Sequence, residues 1–137
     1  MIDVVAMCFI KNNSFIIALP RSSKNTNLYT LIGGKVKENE KFDDAIIREV
    51  KEELFIDLKK EEFKLILEFQ EHAGSDPNLM INMHMFLTEY KIDVLPEVND
   101  EILDYKWFNI GDDESILCDS IKLHLLPYLK NKTTINM

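Results

Sequence analysis

Cysteine is nearly missing from this chain. Cys8 and Cys118 are the two in 137 residues, far apart, and each sits in an apolar run. Two such positions make neither a disulfide framework nor a zinc site, so each reads as a small buried hydrophobe. That usage fits a reduced, cytoplasmic setting. Positive charge is also short: 16 Lys and Arg face 24 Asp and Glu, for a formal net charge of −8. A chain this acidic is repelled by a nucleic-acid backbone unless it concentrates its basic residues, and the pairings Lys59-Lys60 and Lys130 with Lys132 are short and scattered. No nucleic-acid polymer is expected as a partner. Small phosphorylated ligands stay open, because a metal ion reverses the local sign of charge. Long apolar runs are absent too. Residues 1–10 (MIDVVAMCFI) carry Asp3, lack a basic start and stop at Lys11-Asn12-Asn13. The run is too short to span a membrane, shows no targeting pattern, and reads as a buried strand.

What is present fits one compact domain over residues 1–137. Hydrophobic residues make up 46% and charged residues 29%, near the globular norm, so a chain of this size can bury a core without staples. No repeat, low-complexity tract or interdomain linker interrupts it.

Ile2–Ile10 and Phe15–Leu19 read as strands, joined into a hairpin by the turn cluster Lys11-Asn12-Asn13-Ser14. Pro20 to Asn27 reads as a polar loop, and Leu28–Ile32 as a short strand broken by Gly33-Gly34. Further strands are expected over Phe63–Phe69, Met80–Tyr90 and Leu103–Ile110, with Met83, Met85 and Leu87 on one face. Asp112 to Leu129 reads as a helix with Ile116, Leu117, Ile121, Leu125 and Leu126 as its apolar stripe. Pro127 is expected to kink or end it, leaving a frayed tail after Lys130. Strands that precede, separate and follow helices argue for an α/β fold, a mixed sheet with helices packed on it.

The clearest helix runs from Phe42 to about Leu54. Taking Phe42 as zero and about 100° per residue, Ala45 falls near 300°, Ile46 near 40° and Val50 near 80°. Glu49 near 340° and Glu53 near 20° fall inside that apolar arc, and Glu52 lies beside it near 280°. A Glu/Lys-rich helix usually marks a solvated face, but these acids share the azimuth of the core residues. Like charges so placed repel one another and weaken the helix, so keeping them ionised calls for cations. Hard oxygen ligands at i, i+3 and i+4 suit Mg²⁺ or Mn²⁺. The other reading of the periodicity is a helix end emerging into solvent. Gly33-Gly34-Lys35 precedes the helix, and a glycine pair lets a backbone approach a ligand closely while a lysine can meet phosphate.

Gly34, Glu40, Arg48, Glu49, Val50, Glu52, Glu53 and Ile56 together resemble the Nudix box, G-x5-E-x7-R-E-U-x-E-E-x-G-U with U a bulky aliphatic residue, over residues 34–56. Two positions depart. Phe55 stands where the family has glycine, which suits a left-handed helix cap and leaves the helix end open by a residue or so. Ile32 stands where many members carry proline. Leu19-Pro20-Arg21 is similar to the end of the family's opening strands, and Asn99-Asp100-Glu101-Ile102, ahead of Trp107-Phe108, to its acidic segment before the last strand.

The resemblance implies the family's α/β/α sandwich around a mixed β-sheet, and hydrolysis of a nucleoside diphosphate linked to another moiety. It implies Glu49, Glu52 and Glu53 as metal ligands for Mg²⁺ or Mn²⁺, with the Gly34 carbonyl joining them. Glu40 is either a ligand through water or a helix-start acid favoured by the dipole. Arg48 orients Glu49 or Glu52, with a direct phosphate contact as the alternative. The general base the resemblance implies is Glu53 or Glu49, or else a downstream acid, for which Glu101 is the preferred residue; the other reading of Glu101 is an ordinary loop acid. Arg21 and Lys35 are the candidate phosphate contacts. His72, His84 and His124 match no ligand position and read as core or surface residues. The Met and aromatic residues of Met80–Phe86 read as core rather than as the floor of a base pocket. Motifs of the coenzyme A, NADH, ADP-ribose and dinucleoside-polyphosphate branches are not recognisable, so a MutT-like enzyme for nucleoside triphosphates, ordinary or modified, leads by elimination. A nucleotide-sugar or ADP-ribose pyrophosphatase is the alternative, and a non-catalytic nucleotide-binding or regulatory domain is the alternative of another class. A homodimer is compatible with the family.

Overall fold

The computed structural model describes residues 2–21, 27–73 and 76–135. In chain order they form β1 (Ile2–Lys11), β2 (Ser14–Pro20), β3 (Ile32–Lys35), α1 (Phe42–Leu54), β4 (Phe63–Ala73), β5 (Asp76–Thr88), β6 (Ile102–Asn109) and α2 (Leu126–Ile135). The sheet runs β4-β5-β1-β2-β6, with β3 also paired to β1. It is mixed: β1 lies parallel to β5 from Ile2 to Phe9 and antiparallel to both β2 and β3.

β1 organises the molecule because both of its faces are buried. Val5, Met7 and Phe9 face one layer, in which Ala45, Ile46 and Val50 of α1 pack. Ala6 and Cys8 face the other, with Leu117, Ile121, Leu125, Leu126 and Leu129. A strand covered on both sides reads as the near-continuous apolar run seen in the sequence. The result is the expected α/β/α sandwich around a mixed sheet. The hairpin turn also forms where expected, with Lys11 paired to Ser14 and Asn12 taking a positive φ of 57°. No helix among the described residues is long and apolar enough to cross a membrane.

Several expectations are corrected. Gly33-Gly34 does not break a strand; it is the centre of β3, paired with Ala6 and Val5. The reason is a close approach between backbones. A Cβ on Gly33 would lie 2.0 Å from the Val5 carbonyl oxygen. Residues 28–31 are reduced to isolated bridges, Thr30 to Ala18 and Tyr29 to Leu117. The helix expected over Asp112–Leu129 is replaced by a 3₁₀ turn at Glu114–Ile116, a π-helical stretch over Ser120–Leu125, and then α2. The Asp113 carboxylate accepts from the Ser115 amide, and the Leu117 bridge to Tyr29 interrupts any continuous helix. Pro127 directly follows the π-helical stretch, where the Leu126 amide bonds to the Ile121 carbonyl, so it lies inside continuous helical backbone that runs past Lys130 to Ile135. Phe42 is not a core residue: it is 37% exposed and stacks on His84 at 3.7 Å. The polar loop expected over Pro20 to Asn27 lies mostly outside the described residues.

Candidate active site

α1 starts where Lys41 leaves extended backbone, and its first turn carries Asp43 and Asp44, favourable at the positive end of the helix dipole. Lys60 bridges both of them at 3.4 Å. Ala45, Ile46 and Val50 are fully buried and fix the rotation of the helix. With that rotation set, Glu49 lies directly over β3. A Cβ on Gly34 would stand 2.5 Å from its Oε1, so the absent side chain is what makes room for the carboxylate.

Arg48 is a hub of donors. Its Nε and Nη2 grip the Glu40 carboxylate at 2.8 and 2.9 Å. Nη1 donates to Glu49 at 2.9 Å and, at 3.4 Å, to Glu52. Nη2 also reaches the Lys35 carbonyl at 3.1 Å, tying α1 to β3. Glu40 accepts a further bond from the Lys37 amide at 3.0 Å. Both Glu40 oxygens accept hydrogen bonds, and the carboxylate clamps Arg48. The Arg48 hydrogen bonds hold the Glu40 carboxyl down at about 2.

Glu53 is the opposite case. Its Oε2 is buried and has no hydrogen-bond partner among the described residues. Burial first, then the charges of Glu49, Glu101 and Glu52, push its pKa up to about 8. Glu49 is also raised, by burial that outweighs the pull of Arg48.

A cavity of about 430 Å³ opens beside Glu53, lined in part by Arg21, Gly33, Asp100 and Glu101. The Asn99 carboxamide oxygen accepts from the amides of Glu101 and Ile102 at 2.7 and 2.9 Å and shapes this turn. Arg21 is anchored to it, with its amide donating to the Glu101 carbonyl at 2.8 Å and its Nε to the Asp100 carbonyl. The fold thus gathers Arg21, Glu53 and Glu101 from three separate elements. Lys35 is not gathered. It is exposed, and its register partner Val4 packs on the α2 side, so the pleat turns it away from Gly34 and Glu49. A second cavity, of about 420 Å³ and bordered by Lys11, Tyr90, Lys91 and Lys132, contains none of the candidate site residues.

The histidines keep to structural places. His84 is buried between Glu68 at 2.7 Å and Asp3 at 2.9 Å, and His124 stacks on Phe69 and meets Glu71 at 3.0 Å. His72 is exposed. Met83, Met85 and Phe86 are core.

Among the described residues, no three His, Cys, Asp or Glu side chains converge at metal-ligand reach. Arg48 draws Glu49 and Glu52 toward itself instead. The donor set still suits a hard divalent ion: carboxylates at i, i+3 and i+4, one with a buried oxygen lacking any partner. One residue escaped the sequence reading. Tyr105 is 6% exposed on β6 and packs in the core layer that α1 covers. Strand alternation from Trp107 was the signal that could have placed it facing α1.

A model of the NUDIX domain matches residues 1–116. The NAD-capped RNA hydrolase NudC of Vibrio atlanticus (strain LGP32) is 29% identical over 101 residues, covering 74% of this chain and 35% of that protein. This chain therefore spans about a third of that relative's length. Among solved structures, the MutT NUDIX hydrolase from Burkholderia pseudomallei is similar with a TM-score of 0.73 at 20% identity, over 88% of this chain and 92% of that one. The C. elegans Ap4A hydrolase gives 0.69 at 17% identity over 100% of both chains. Likenesses at these identities speak to the fold. The family match covers most of the chain and includes the whole acidic motif of α1, and the chain belongs to the NUDIX family.

Proposed function

We propose that this chain is a divalent-metal-dependent pyrophosphohydrolase acting on a nucleoside diphosphate linked to another moiety, with a nucleoside triphosphate, ordinary or modified, as the leading substrate. The observation that carries the reading is Glu53: a carboxylate with a buried, unpartnered oxygen, crowded by Glu49, Glu52 and Glu101, beside an open cavity. Such a group is costly to keep charged unless a cation joins it.

Glu49, Glu52 and Glu53 would hold Mg²⁺ or Mn²⁺, with the Gly34 carbonyl at hand on β3. An ion bound there neutralises diphosphate charge, polarises the P–O bond and acidifies water. Arg48 keeps Glu49 and Glu52 oriented through its Nη1 donors. Arg21 presents a guanidinium to the same cavity, suited to a phosphate group, and Lys35 is the weaker contact because its strand turns it away. Glu101 faces the cavity and has no ligand duty, so it accepts the proton of the attacking water.

The sequence match to an NAD-capped RNA hydrolase favours a second reading, in which the diphosphate joins two larger groups, as in ADP-ribose or a nucleotide sugar. A hydrolysis screen with Mg²⁺ and Mn²⁺ over canonical and oxidised nucleoside triphosphates, nucleotide sugars and ADP-ribose tests both. Cleavage of triphosphates supports the leading reading. Cleavage of ADP-ribose or nucleotide sugars with triphosphates untouched transfers the assignment to the second. No hydrolysis of any of them leaves a non-catalytic nucleotide-binding domain.

A further inference from the structure

The cavity beside Glu53 and the one bordered by Lys11 are nearly equal in volume, about 430 and 420 Å³, and opposite in charge. The first sets Arg21 against Glu53, Asp100 and Glu101, and the second sets Lys11, Lys91 and Lys132 against Glu89. They lie at opposite ends of the β2–β6 ladder. Arg21 follows the Pro20–Ile102 pair, while Asn13 and Ile110 flank the Ser14–Asn109 pair. The strand between those pairs, Ser14 to Pro20, spans about 20 Å. In the sequence the three lysines are scattered. The fold collects them from the end of β1, the segment after β5, and α2. Nearby lysines have carboxylate partners: Lys122 meets Asp119 at 3.8 Å and Lys130 meets Glu114 at 2.8 Å. Lys11, Lys91 and Lys132 form no ion pair with any described residue. A hollow with an excess of one sign of charge concentrates the opposite ion, here in a chain whose net charge is −8.

We propose that this lysine-bordered cavity is a second ligand site, separate from the one beside Glu53, and that it takes a small phosphorylated molecule carrying a flat ring, of nucleotide size. Ammonium groups on flexible stems meet phosphate oxygens as point charges. The rest of the lining suits a ring. Tyr90 is 38% exposed, and Leu87, Ile92 and Leu129 supply an apolar floor. A hollow of about 420 Å³ fits a small molecule, whereas a nucleic-acid polymer calls for an extended basic stripe. The assignment uses nothing from the Glu53 site and stands whether or not that site is catalytic.

Calorimetric titration of the full chain with ADP, in EDTA so that no metal is bound and no turnover occurs, reads this site. ADP should bind, and Lys11→Glu combined with Lys91→Glu should weaken it by about tenfold or more. Lys132→Glu should weaken it severalfold. The three lysines are exposed, and a circular-dichroism melt checks that each variant is folded. Lys11→Gln with Lys91→Gln gives the same direction at a smaller size should charge reversal harm the fold. Tyr90→Ala should weaken ADP severalfold while leaving inorganic phosphate within about twofold, because the ring meets only the flat part of the ligand. Arg21→Ala, about 20 Å away at the other cavity, should leave ADP within about twofold. No binding of ADP up to about 10 mM overturns the proposal, since that is weaker than specific recognition requires. So does binding that Arg21→Ala abolishes and the lysine variants leave intact. Adenosine binding as tightly as ADP would refute the phosphate as the recognised group. An RNA oligonucleotide held more tightly than ADP through the same lysines would make the partner a polymer and refute the small ligand.

Discussion

Glu40 and Glu53 are the same side chain at the two ends of one acidic motif, and the fold treats them in opposite ways. Glu40 is gripped by two Arg48 nitrogens and the Lys37 amide, and its pKa is held at about 2. Glu53 has a buried oxygen with no partner, and its pKa is pushed to about 8. The motif is therefore two devices in one. Its first half is a closed ion-pair network that builds the helix onto β3. Its second half is left electrostatically unfinished, which is a condition for taking up a cation.

Glu53→Gln breaks the comparison most sharply. Hydrolysis should fall on the order of a hundredfold or more, read as kcat/KM in the presence of Mg²⁺. Metal-free stability at pH 7 should hold or rise, because a neutral amide replaces a crowded carboxylate. The pH dependence has a defined sign. A carboxyl raised from 4.5 to about 8 binds more protons folded than unfolded in that window, so its contribution is fully present below about 4.5 and fades as pH rises toward 8. Denaturant titrations of the metal-free wild type should show that decline, and Glu53→Gln should lack it. Glu40 has the reverse sign: its stabilising effect is present above about 4.5 and is lost as pH falls toward 2. An activity unchanged in Glu53→Gln would sink the distinction between the two ends.

Arg48→Ala attacks the closed half. It removes the donors of Glu40 and loosens Glu49 and Glu52, with the guanidinium only 20% exposed. A loss of about 2–3 kcal/mol is expected, the scale of hydrogen bonds to charged groups in a partly buried site. Chemical denaturation measures it, and a loss below about 0.5 kcal/mol, as for an ordinary surface substitution, would mean that the network contributes nothing to folding.

Gly34→Ala sits between the halves. The new methyl would press on the Glu49 carboxylate at 2.5 Å, the end of a flexible side chain that can swing aside. Activity should drop by about tenfold with the fold retained, because a carboxylate displaced by about an ångström is misaligned rather than removed. A circular-dichroism melt beside the rate assay separates the two effects, and an unfolded Gly34→Ala would show that β3 rather than Glu49 needs this glycine.

The parts that were legible in the sequence are those decided locally. α1 was readable because Ala45, Ile46 and Val50 repeat at helical spacing, and the β1–β2 hairpin because Asn12 and Asn13 carry turn chemistry. Arg21 and Glu101 were named through the resemblance to the family and Glu53 through the motif itself; that they border one cavity is visible only in the structure, and their roles await the tests above. What was hidden depends on partners distant in sequence. Gly33-Gly34 looks like a strand breaker until β1 is seen pressing against it. Phe42 fits the apolar arc, but its partner is His84 from β5. Nothing near Tyr105 in the sequence announces that it packs in the same core layer as Ala45, Ile46 and Val50 of α1. The C-terminal helix was misjudged because an apolar stripe at helical spacing does not encode the Leu117 bridge that interrupts it.

The smallest expected effect concerns the residue that closes α1. The family pattern has glycine there, and Phe55 takes a glycine-like conformation, φ 59° and ψ 32°, with its amide donating to the Lys51 carbonyl at 3.0 Å. The helix ends at Leu54 with no shift, so the departure from the pattern is absorbed as backbone strain. A bulky L-residue in that region costs about 1–2 kcal/mol, and glycine there gives part of this back as unfolded-state entropy. The ring itself is 82% exposed, so little buried area is at stake. Phe55→Gly should therefore stabilise the protein by up to about 1 kcal/mol, seen as a higher denaturation midpoint at an unchanged slope. Activity should stay within about twofold, since Glu52 and Glu53 keep the same helical turn. A variant that gains stability but loses activity would show that the exposed ring acts on substrate. A variant that loses stability would show that the ring has a packing role, and that the open half of the motif depends on how its helix is closed.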